Sequence, residues 1–128
     1  MAGSKRLPRA ARLADPEHFR QAFASRRRLK GRWMNIHLRQ RGDGDDEKAR
    51  IGLVIGKRFC RLATRRNFLK RLIRERFRAV RTDLGSVDLV VRLVRNLPQQ
   101  LEAETRESLR LDLDSLLAKL NQTLRRPT

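Results

Sequence analysis

The sequence predicts a small single domain of the α+β class, a sandwich in which helices pack on one mainly antiparallel sheet. Segments with alternating hydrophobicity predict strands, and two long segments with helical periodicity predict amphipathic helices. The 128 residues, of which 39% are hydrophobic, suffice for one core. We expect residues 1–128 to fold as one domain, in the order helix, two or three strands, helix, strand, helix.

The first helix is predicted from its start signals. Asp15 is a good N-cap and Pro16 suits the first helical position. We expect this helix to run to about Ser25, with Phe19 and Phe23 on one face. Since only one helical face can be covered, one phenylalanine should be largely buried and the other exposed.

Residues 33–39 alternate between hydrophobic and polar side chains, as in a strand with one buried face. The hydrophobic face holds Met34, Ile36 and Leu38, and the other face holds Trp33, Asn35, His37 and Arg39. Residues 41–48 are rich in turn formers, and a second alternating segment follows at 51–55. These features predict a hairpin between the two strands.

Residues 57–78 contain ten Lys or Arg residues and one acid, Glu75, and so supply half of the chain's net charge of +18. A helix starting near Thr64 and ending near Thr82 separates these residues by face. The apolar face consists of Leu69, Leu72, Ile73, Phe77 and Val80. The opposite face, called the basic face below, consists of Asn67, Lys70, Arg71, Arg74, Arg78 and Arg81.

This density of like charges predicts a polyanionic partner, because cations four residues apart destabilise an isolated helix. Ordinary surfaces intersperse both signs, which disfavours the alternative of a merely solvated face. Phosphodiester backbone is the commonest polyanion that accepts many Arg contacts. Residues 1–12 are also basic and lack hydrophobic periodicity, so we expect a flexible basic arm there.

Two further elements complete the prediction. Residues 87–94 form a mostly apolar strand interrupted by Asp88 and Arg92. A final helix follows Pro98, with acids early and arginines late. Its predicted buried stripe is Leu109, Leu113, Leu116, Leu117, Leu120 and Leu124.

The sequence offers little for catalysis or metal binding. His18 and His37 lie in different elements without a ligand at metal-binding spacing. The loop acids Asp43, Asp45, Asp46 and Glu47 could hold Mg²⁺, but such turns are usually only solvated. We therefore predict no catalytic residue and no metal bound by the protein, although His37 could contact a ligand.

Other features bear on location. Cys60 is the one cysteine, which excludes an internal disulfide and suggests a small buried side chain in a reducing compartment. No segment is long and apolar enough for a membrane span or a signal peptide. We expect a cytoplasmic protein.

Residues 66–78 resemble the signature helix of the protein component of bacterial ribonuclease P. The shared features are the pairs Arg66-Asn67, Lys70-Arg71, Arg74-Glu75 and Phe77-Arg78, in this order. The resemblance also covers the Phe19 and Phe23 helix, the pair Lys57-Arg58, the strand at 88–91 and the leucine-rich final helix. Where the family has an Arg-Asn-Arg triplet, however, this chain has Phe68 in third place.

The resemblance implies a left-handed βαβ crossover and an accessory protein subunit that binds a catalytic RNA and the 5′ leader of precursor tRNA. The holoenzyme removes the leader, with Mg²⁺ held mainly by RNA. The implied RNA-subunit contacts are Lys57, Arg58, Arg61, Arg65, Arg66, Asn67, Lys70, Arg71, Arg74 and Arg78. The implied leader cleft consists of Phe19, Phe23, Trp33, Asn35, His37, Arg39 and Arg92.

Some points stay open at this stage. The resemblance favours Phe19 over Phe23 as the exposed aromatic residue. Phe68 can pack against the sheet edge or stack on a base, and packing is favoured; Arg65 could partly replace the missing arginine. A ribosomal or RNA-chaperone protein would share the charge and size without needing the ordered motif. A DNA-binding helix module is disfavoured, because no helix-turn-helix spacing or dimer seam is present.

Overall fold

The computed structural model describes residues 7–42 and 48–125. After a short 3₁₀ turn at Arg9–Ala11, the helices are α1 (Pro16–Phe23), α2 (Ala63–Leu84) and α3 (Ala103–Arg125). The strands are β1 (Arg28–Lys30), β2 (Met34–Gln40), β3 (Arg50–Val54) and β4 (Val87–Leu93). The predicted α+β class and the order of elements are confirmed.

The four strands form one mixed sheet in the order β1-β2-β4-β3. β1 pairs with β2 and β2 with β4 in antiparallel fashion, whereas β3 and β4 are parallel. Parallel neighbours need a crossover connection, and α2 supplies it. The left-handedness of this βαβ unit stays a prediction.

The predicted hairpin between the strands at 33–39 and 51–55 is wrong. β4 lies between these strands and pairs with both, and the partner of β2 in the observed hairpin is β1. The reason lies in β4, whose residues are buried on both faces except Arg92. A strand that is apolar on both sides is most stable in the middle of the sheet. Residues 43–47, including the loop acids considered for Mg²⁺, lie outside the described residues.

The sheet separates two hydrophobic clusters. On one face, alternate strand residues such as Ile36 and Val91 pack with α2 and α3 in the main core. On the other face, α1 covers part of β2 and β4, with Ala22, Leu13 and Val90 in a smaller cluster. The leucine stripe of α3 is confirmed: five members are buried and Leu124 packs on the core.

The prediction of a flexible arm over residues 1–12 is wrong for its described part. Leu7 and Ala11 are buried in the main core, and the N–H of Leu13 donates to the carbonyl of Ile51 at 2.9 Å. Burial of small and apolar side chains and a bridge between Arg12 and Ile51 offset the cost of ordering the segment. Residues 1–6 lie outside the described residues.

The helix termini follow their capping chemistry. The Asp15 carboxylate accepts hydrogen bonds from the backbone N–H groups of Glu17 at 2.8 Å and His18 at 3.2 Å. Hydrogen bonds from the backbone of His18 and Glu17 lower the pKa of Asp15. α1 ends at Phe23, two residues earlier than predicted. α2 ends at Leu84, before Gly85, whose φ of 72° suits glycine best.

Candidate nucleic-acid interface

The basic face of α2 lies opposite the core. Leu69, Leu72, Ile73 and Phe77 are buried beneath it, as predicted. Arg71 is exposed, while Lys70, Arg74 and Arg78 are half-buried. Among residues 7–42 and 48–125, no carboxylate lies within 4.0 Å of any of these four cations. The charge of this face is therefore uncompensated within the described structure.

Other cations at the start of α2 are fixed by backbone groups. Arg66 donates to the carbonyls of Cys60 at 3.0 Å and Arg61 at 2.8 Å. Arg65 donates to the carbonyl of Gln99 at 3.0 Å. These bonds tie the helix start to its flanking loops and leave other guanidinium donors available, since arginine has five.

The turn before α2 presents three exposed cations, Lys57, Arg58 and Arg61. Arg58 and Arg61 line a cavity of about 480 Å³ beside the loop that precedes α3. Cys60 also borders this cavity, and its thiol is buried, as predicted. Burial raises the pKa of the Cys60 thiol, with Arg66 and Arg65 acting in the opposite direction. The turn thus continues the positive charge of the basic face.

A second surface is formed by the sheet face that carries α1. Residues that are paired across neighbouring strands form rows perpendicular to the strands, and the side chains of one row lie on the same face of the sheet. One row contains Lys30, Asn35, Arg92 and Val54; the next contains Arg28, His37, Val90 and Gly52; the last contains Arg39, Asp88 and Arg50. We call this surface the α1 cleft. It combines cations with the aromatic side chains of α1.

Phe23 forms the exposed aromatic wall of the α1 cleft. Its side chain is 36% exposed, and its ring lies edge-on to His37 with centroids 4.9 Å apart. The guanidinium carbon of Arg92 lies 5.8 Å from the centre of the same ring. Asn35 is adjacent to Arg92 across the strand pair. Phe23, Asn35, His37 and Arg92 thus form the centre of the α1 cleft, and the predicted residues Phe19 and Arg39 border it.

His37 lies at the floor of this group rather than on its surface. It is 2% exposed, and neither ring nitrogen makes a hydrogen bond of good geometry with a described residue. Burial lowers the pKa of His37, and the positive charges of Arg28 and Arg92 lower it further, although the Phe23 backbone acts in the opposite direction. The ring is therefore held mainly neutral at neutral pH.

The preference for Phe19 as the exposed aromatic residue is wrong. Phe19 is half-buried, and its ring lies directly over Gly52 in β3. A Cβ atom at position 52 would overlap with the ring, so glycine permits this close approach. Phe19 also lies 6.3 Å from Phe23, edge to face, and so supports the more exposed ring.

The placement of Trp33 in the cleft is also wrong. Trp33 precedes β2, so strand alternation does not fix its direction, and its side chain is 8% exposed in the main core. The indole N–H donates to Ser108 Oγ on α3 at 2.8 Å. The Asp112 carboxylate, also on α3, accepts from the backbone N–H groups of Arg32 and Trp33 at 2.8 Å each. The β1-β2 turn is thereby anchored to α3.

Arg39 lies at the far end of the cleft, beside the fully buried Asp88. Its guanidinium is 3.8 Å from the Asp88 carboxylate. Arg41 donates to this carboxylate at 2.6 Å, and Arg50 donates twice, at 2.8 and 2.9 Å. Asp88 is therefore a structural centre that holds the loop after β2 and the start of β3 to β4.

The basic face and the α1 cleft meet at the edge strand β3. A cavity of about 210 Å³ is bordered by Lys70 and Arg74 of α2, by Arg12, and by Phe19 and Gly52. The positive charge of α2 therefore continues through Arg12 to the α1 cleft, so polyanions bound at the two surfaces can lie next to each other.

Sequence reasoning missed several residues at these surfaces. Arg28 and Lys30 flank Leu29 with strand alternation, which could have revealed β1. Leu7, Ala11 and Leu13 could have indicated that the segment carrying Arg12 is packed. No local signal could have placed Arg106 of α3 beside Phe68 of α2, because the two residues are far apart in the sequence and meet only when the helices pack.

No group of three or more His, Cys, Asp or Glu side chains in the described residues is arranged to hold a metal ion. Asp88, the buried carboxylate, already accepts hydrogen bonds from Arg41 and Arg50. No helix in the described part of the chain is long and apolar enough to cross a membrane. Fold and surface charge together define a small α+β domain suited to binding a polyanion.

Comparison with known proteins agrees with this class. Residues 7–121 match the family model described as Ribonuclease P. The chain is 39% identical over 116 residues to the ribonuclease P protein component of Bordetella parapertussis, covering 89% of this chain and 94% of that protein. It is also 39% identical over 114 residues to the Azoarcus protein of the same name, covering 89% of each.

A solved structure is similar as well. The RNase P protein from Thermotoga maritima, determined in complex with 1-(4-fluorophenyl)-2-thiourea, has a TM-score of 0.59 and 30% identity to this chain. The alignment covers 91% of this chain and all of that one. The chain therefore belongs to the ribonuclease P protein family, whose members are subunits of a tRNA-processing endoribonuclease.

Proposed function

We propose that this chain binds the catalytic RNA of ribonuclease P through the basic face of α2 and the turn before it. The observation that carries the proposal is the set of four cations on α2 without a carboxylate partner among the described residues. Self-repulsion on this face is relieved when RNA phosphates lie along it. The proposed contacts are Lys57, Arg58, Arg61, Arg65, Arg66, Asn67, Lys70, Arg71, Arg74 and Arg78.

The α1 cleft is the proposed site for the 5′ leader of precursor tRNA. A leader is single-stranded, and single strands bind where bases stack on aromatic rings while cations contact the backbone. Phe23 provides the ring, and Lys30 and Arg92 provide the charge. Phe19 supports Phe23 from beneath, Asn35 offers an amide for hydrogen bonding, and Arg39 lies at the far end.

The catalytic chemistry is proposed to reside in the RNA, with Mg²⁺ held mainly by RNA. The protein donor set supports this division, because no group of three or more described His, Cys, Asp or Glu residues is arranged to hold a metal ion, and Asp88 already accepts hydrogen bonds from Arg41 and Arg50. The role left to the protein is to neutralise phosphates and to position substrate, which lowers the free-energy cost of bringing two polyanions together. This processing is proposed to occur in the cytoplasm, where a free thiol such as Cys60 stays reduced.

Recovery of bound RNA from cells tests this function against a ribosomal or RNA-chaperone role. Tagged protein should recover one dominant stable RNA of the ribonuclease P type together with precursor tRNA. The Arg71→Ala/Arg74→Ala variant is the matched control and should recover much less. Enrichment of ribosomal RNA, with the ribonuclease P RNA at background, would contradict the proposal.

A further inference from the structure

The surface between α2 and α3 carries a second, smaller group of cations that the proposed RNA contacts do not include. The guanidinium carbon of Arg106 on α3 lies 5.8 Å from the centre of the Phe68 ring on α2. Phe68 is half-buried against the main core, and Arg106 is exposed. Phe68 therefore packs, as predicted, but on the main core beside α3 and not at the sheet edge, and it contacts a cation from the neighbouring helix.

Arg106 differs from Arg76 and Arg110 on this surface in its lack of an acidic partner. Arg76 lies 3.6 Å from Asp114, and Arg110 lies 3.7 Å from Glu107. No carboxylate among the described residues lies within 4.0 Å of Arg106. The charge of Arg106 is available to an external anion, whereas the charges of Arg76 and Arg110 are partly neutralised.

The Phe68 ring also prepares Arg106 for binding. A guanidinium over an aromatic ring gains a cation–π attraction while its N–H groups stay free for a phosphate. Contact with the ring restricts a flexible side chain before RNA arrives, so less conformational entropy is lost on binding. The pair thus offers a preorganised donor for one phosphate group.

The Phe68 ring that contacts Arg106 borders a groove that also contains Arg71 of the basic face. A groove of about 320 Å³ between the helices is lined by Phe68, Arg71 and Arg110, with Glu75 as the one carboxylate among its lining residues. Arg71 belongs both to this groove and to the basic face. The groove and the Phe68 ring therefore connect the basic face of α2 to Arg106 on α3.

We propose that Arg106, held by the Phe68 ring, is a phosphate contact for the same catalytic RNA, so that the RNA interface extends from α2 onto α3. Phe68 is then a positioning residue, and Arg106 supplies on α3 the positive charge that position 68 lacks. Arg65, considered earlier as a substitute, has its Nε bound to the carbonyl of Gln99. This inference rests on the proposed binding of RNA by the basic face.

Salt-dependent binding of the catalytic RNA to purified full-length variants tests the role of Arg106. Arg106→Ala should weaken binding roughly three- to tenfold at ~0.1 M salt and lower the slope of log K against log salt by about one, as expected for one lost phosphate contact. Lys119→Ala, which removes another exposed cation of α3, is the matched control and should leave both quantities unchanged.

A double-mutant cycle that combines substitutions of Phe68 and Arg106, with RNA affinity as the measured quantity, tests the role of Phe68. Phe68→Leu should weaken binding and Phe68→Tyr, which keeps a ring, should not. In an Arg106→Ala background, Phe68→Leu should have little further effect, because the two residues act as one unit. Phe68→Arg should restore binding to Arg106→Ala. Thermal melts of every variant, run beside the titrations, separate lost folding from lost contact.

The outcomes distinguish this inference from the function on which it rests. If Arg106→Ala leaves affinity and salt slope unchanged while Arg71→Ala lowers both, the extension onto α3 is wrong and the basic face remains the interface. If neither substitution has an effect, the proposed function fails as well. Equal losses for Phe68→Leu with and without Arg106 would reject the positioning role.

Discussion

Phe23 covers the ring of His37 edge-on, with the two centroids 4.9 Å apart. The contact makes His37 the buried floor and Phe23 the exposed wall of the α1 cleft, since their exposures are 2% and 36%. The solvent-exposed side of Phe23 is therefore the surface on which a leader base can stack.

Phe23→Ala should weaken binding of precursor tRNA to the holoenzyme by roughly 1–3 kcal/mol, the usual contribution of stacking one base on an aromatic ring. Binding of mature tRNA, which has no leader, should be almost unchanged. Titrations of both tRNAs against the reconstituted holoenzyme measure the difference. Equal losses for the two substrates would reject the leader assignment.

Phe19→Ala provides the matched comparison, because Phe19 packs over Gly52 rather than facing solvent. It should lower the free energy of unfolding by roughly 2–3 kcal/mol, less than truncation of a fully buried phenylalanine. Urea unfolding measures this loss. A variant with unchanged stability and a selective loss of precursor binding would show that Phe19, not Phe23, carries the stacking.

Replacing both Arg71 and Arg74 by Ala should weaken binding of the catalytic RNA and reduce the salt slope by about two, close to one for each lost phosphate contact. Folding should survive, because neither residue belongs to the buried face of α2. Binding isotherms at several salt concentrations, with circular dichroism on the same samples, check this. Unchanged affinity and slope would remove the basic face from the interface.

Asp88→Asn should lower the free energy of unfolding by about 3–5 kcal/mol, because it removes the buried negative charge that pairs with Arg41 and Arg50. Asp114→Asn is the control: its pair with Arg76 is partly exposed at 3.6 Å and should contribute at most about 1 kcal/mol. Chemical denaturation of both variants measures the contrast. Similar losses for the two would show that the Asp88 cluster is not a structural centre.

The stability of the protein should depend on pH through His37. Its pKa is lowered in the folded state, so the unfolded chain binds the proton more readily and acid favours unfolding. The stability that neutral His37 contributes is fully present above its unfolded-state pKa of about 6.5. It is lost as the pH falls through the lower pKa of the folded state. Between pH 7 and 5, wild type should therefore lose more stability than His37→Gln in urea unfolding. Parallel curves for the two proteins would contradict this.

The parts of the fold that the sequence predicted are those with regular periodicity. The apolar face of α2 and the leucine stripe of α3 repeat over many turns, so Phe77 and Leu113 could be assigned to the core from spacing alone. Sheet order could not be predicted in this way. It depends on which strand is buried on both faces, and that strand is β4, which follows β2 and β3 in the chain but pairs with both.

The sequence predicted the part of the candidate site where positive charge is concentrated. It did not predict which way single side chains such as Trp33 point. The basic face follows from helical spacing, and its residues lie together as expected. Trp33 was misplaced because it lies before the first residue of β2, where alternation no longer applies. The exposures of Phe19 and Phe23 depend on Gly52, which comes from a strand distant in sequence.

Cleavage of precursor tRNA by the matching catalytic RNA at low Mg²⁺ concentration, with and without this protein, tests the central claim most directly. Wild-type protein should lower the Mg²⁺ concentration needed for cleavage, because its basic face neutralises phosphates. The Arg71→Ala/Arg74→Ala variant should lower this concentration by a smaller amount than wild type. Rigorously RNA-free protein should give no specific cleavage at any Mg²⁺ concentration. Specific cleavage by the protein alone, or an unchanged Mg²⁺ requirement when the protein is added, would contradict the account.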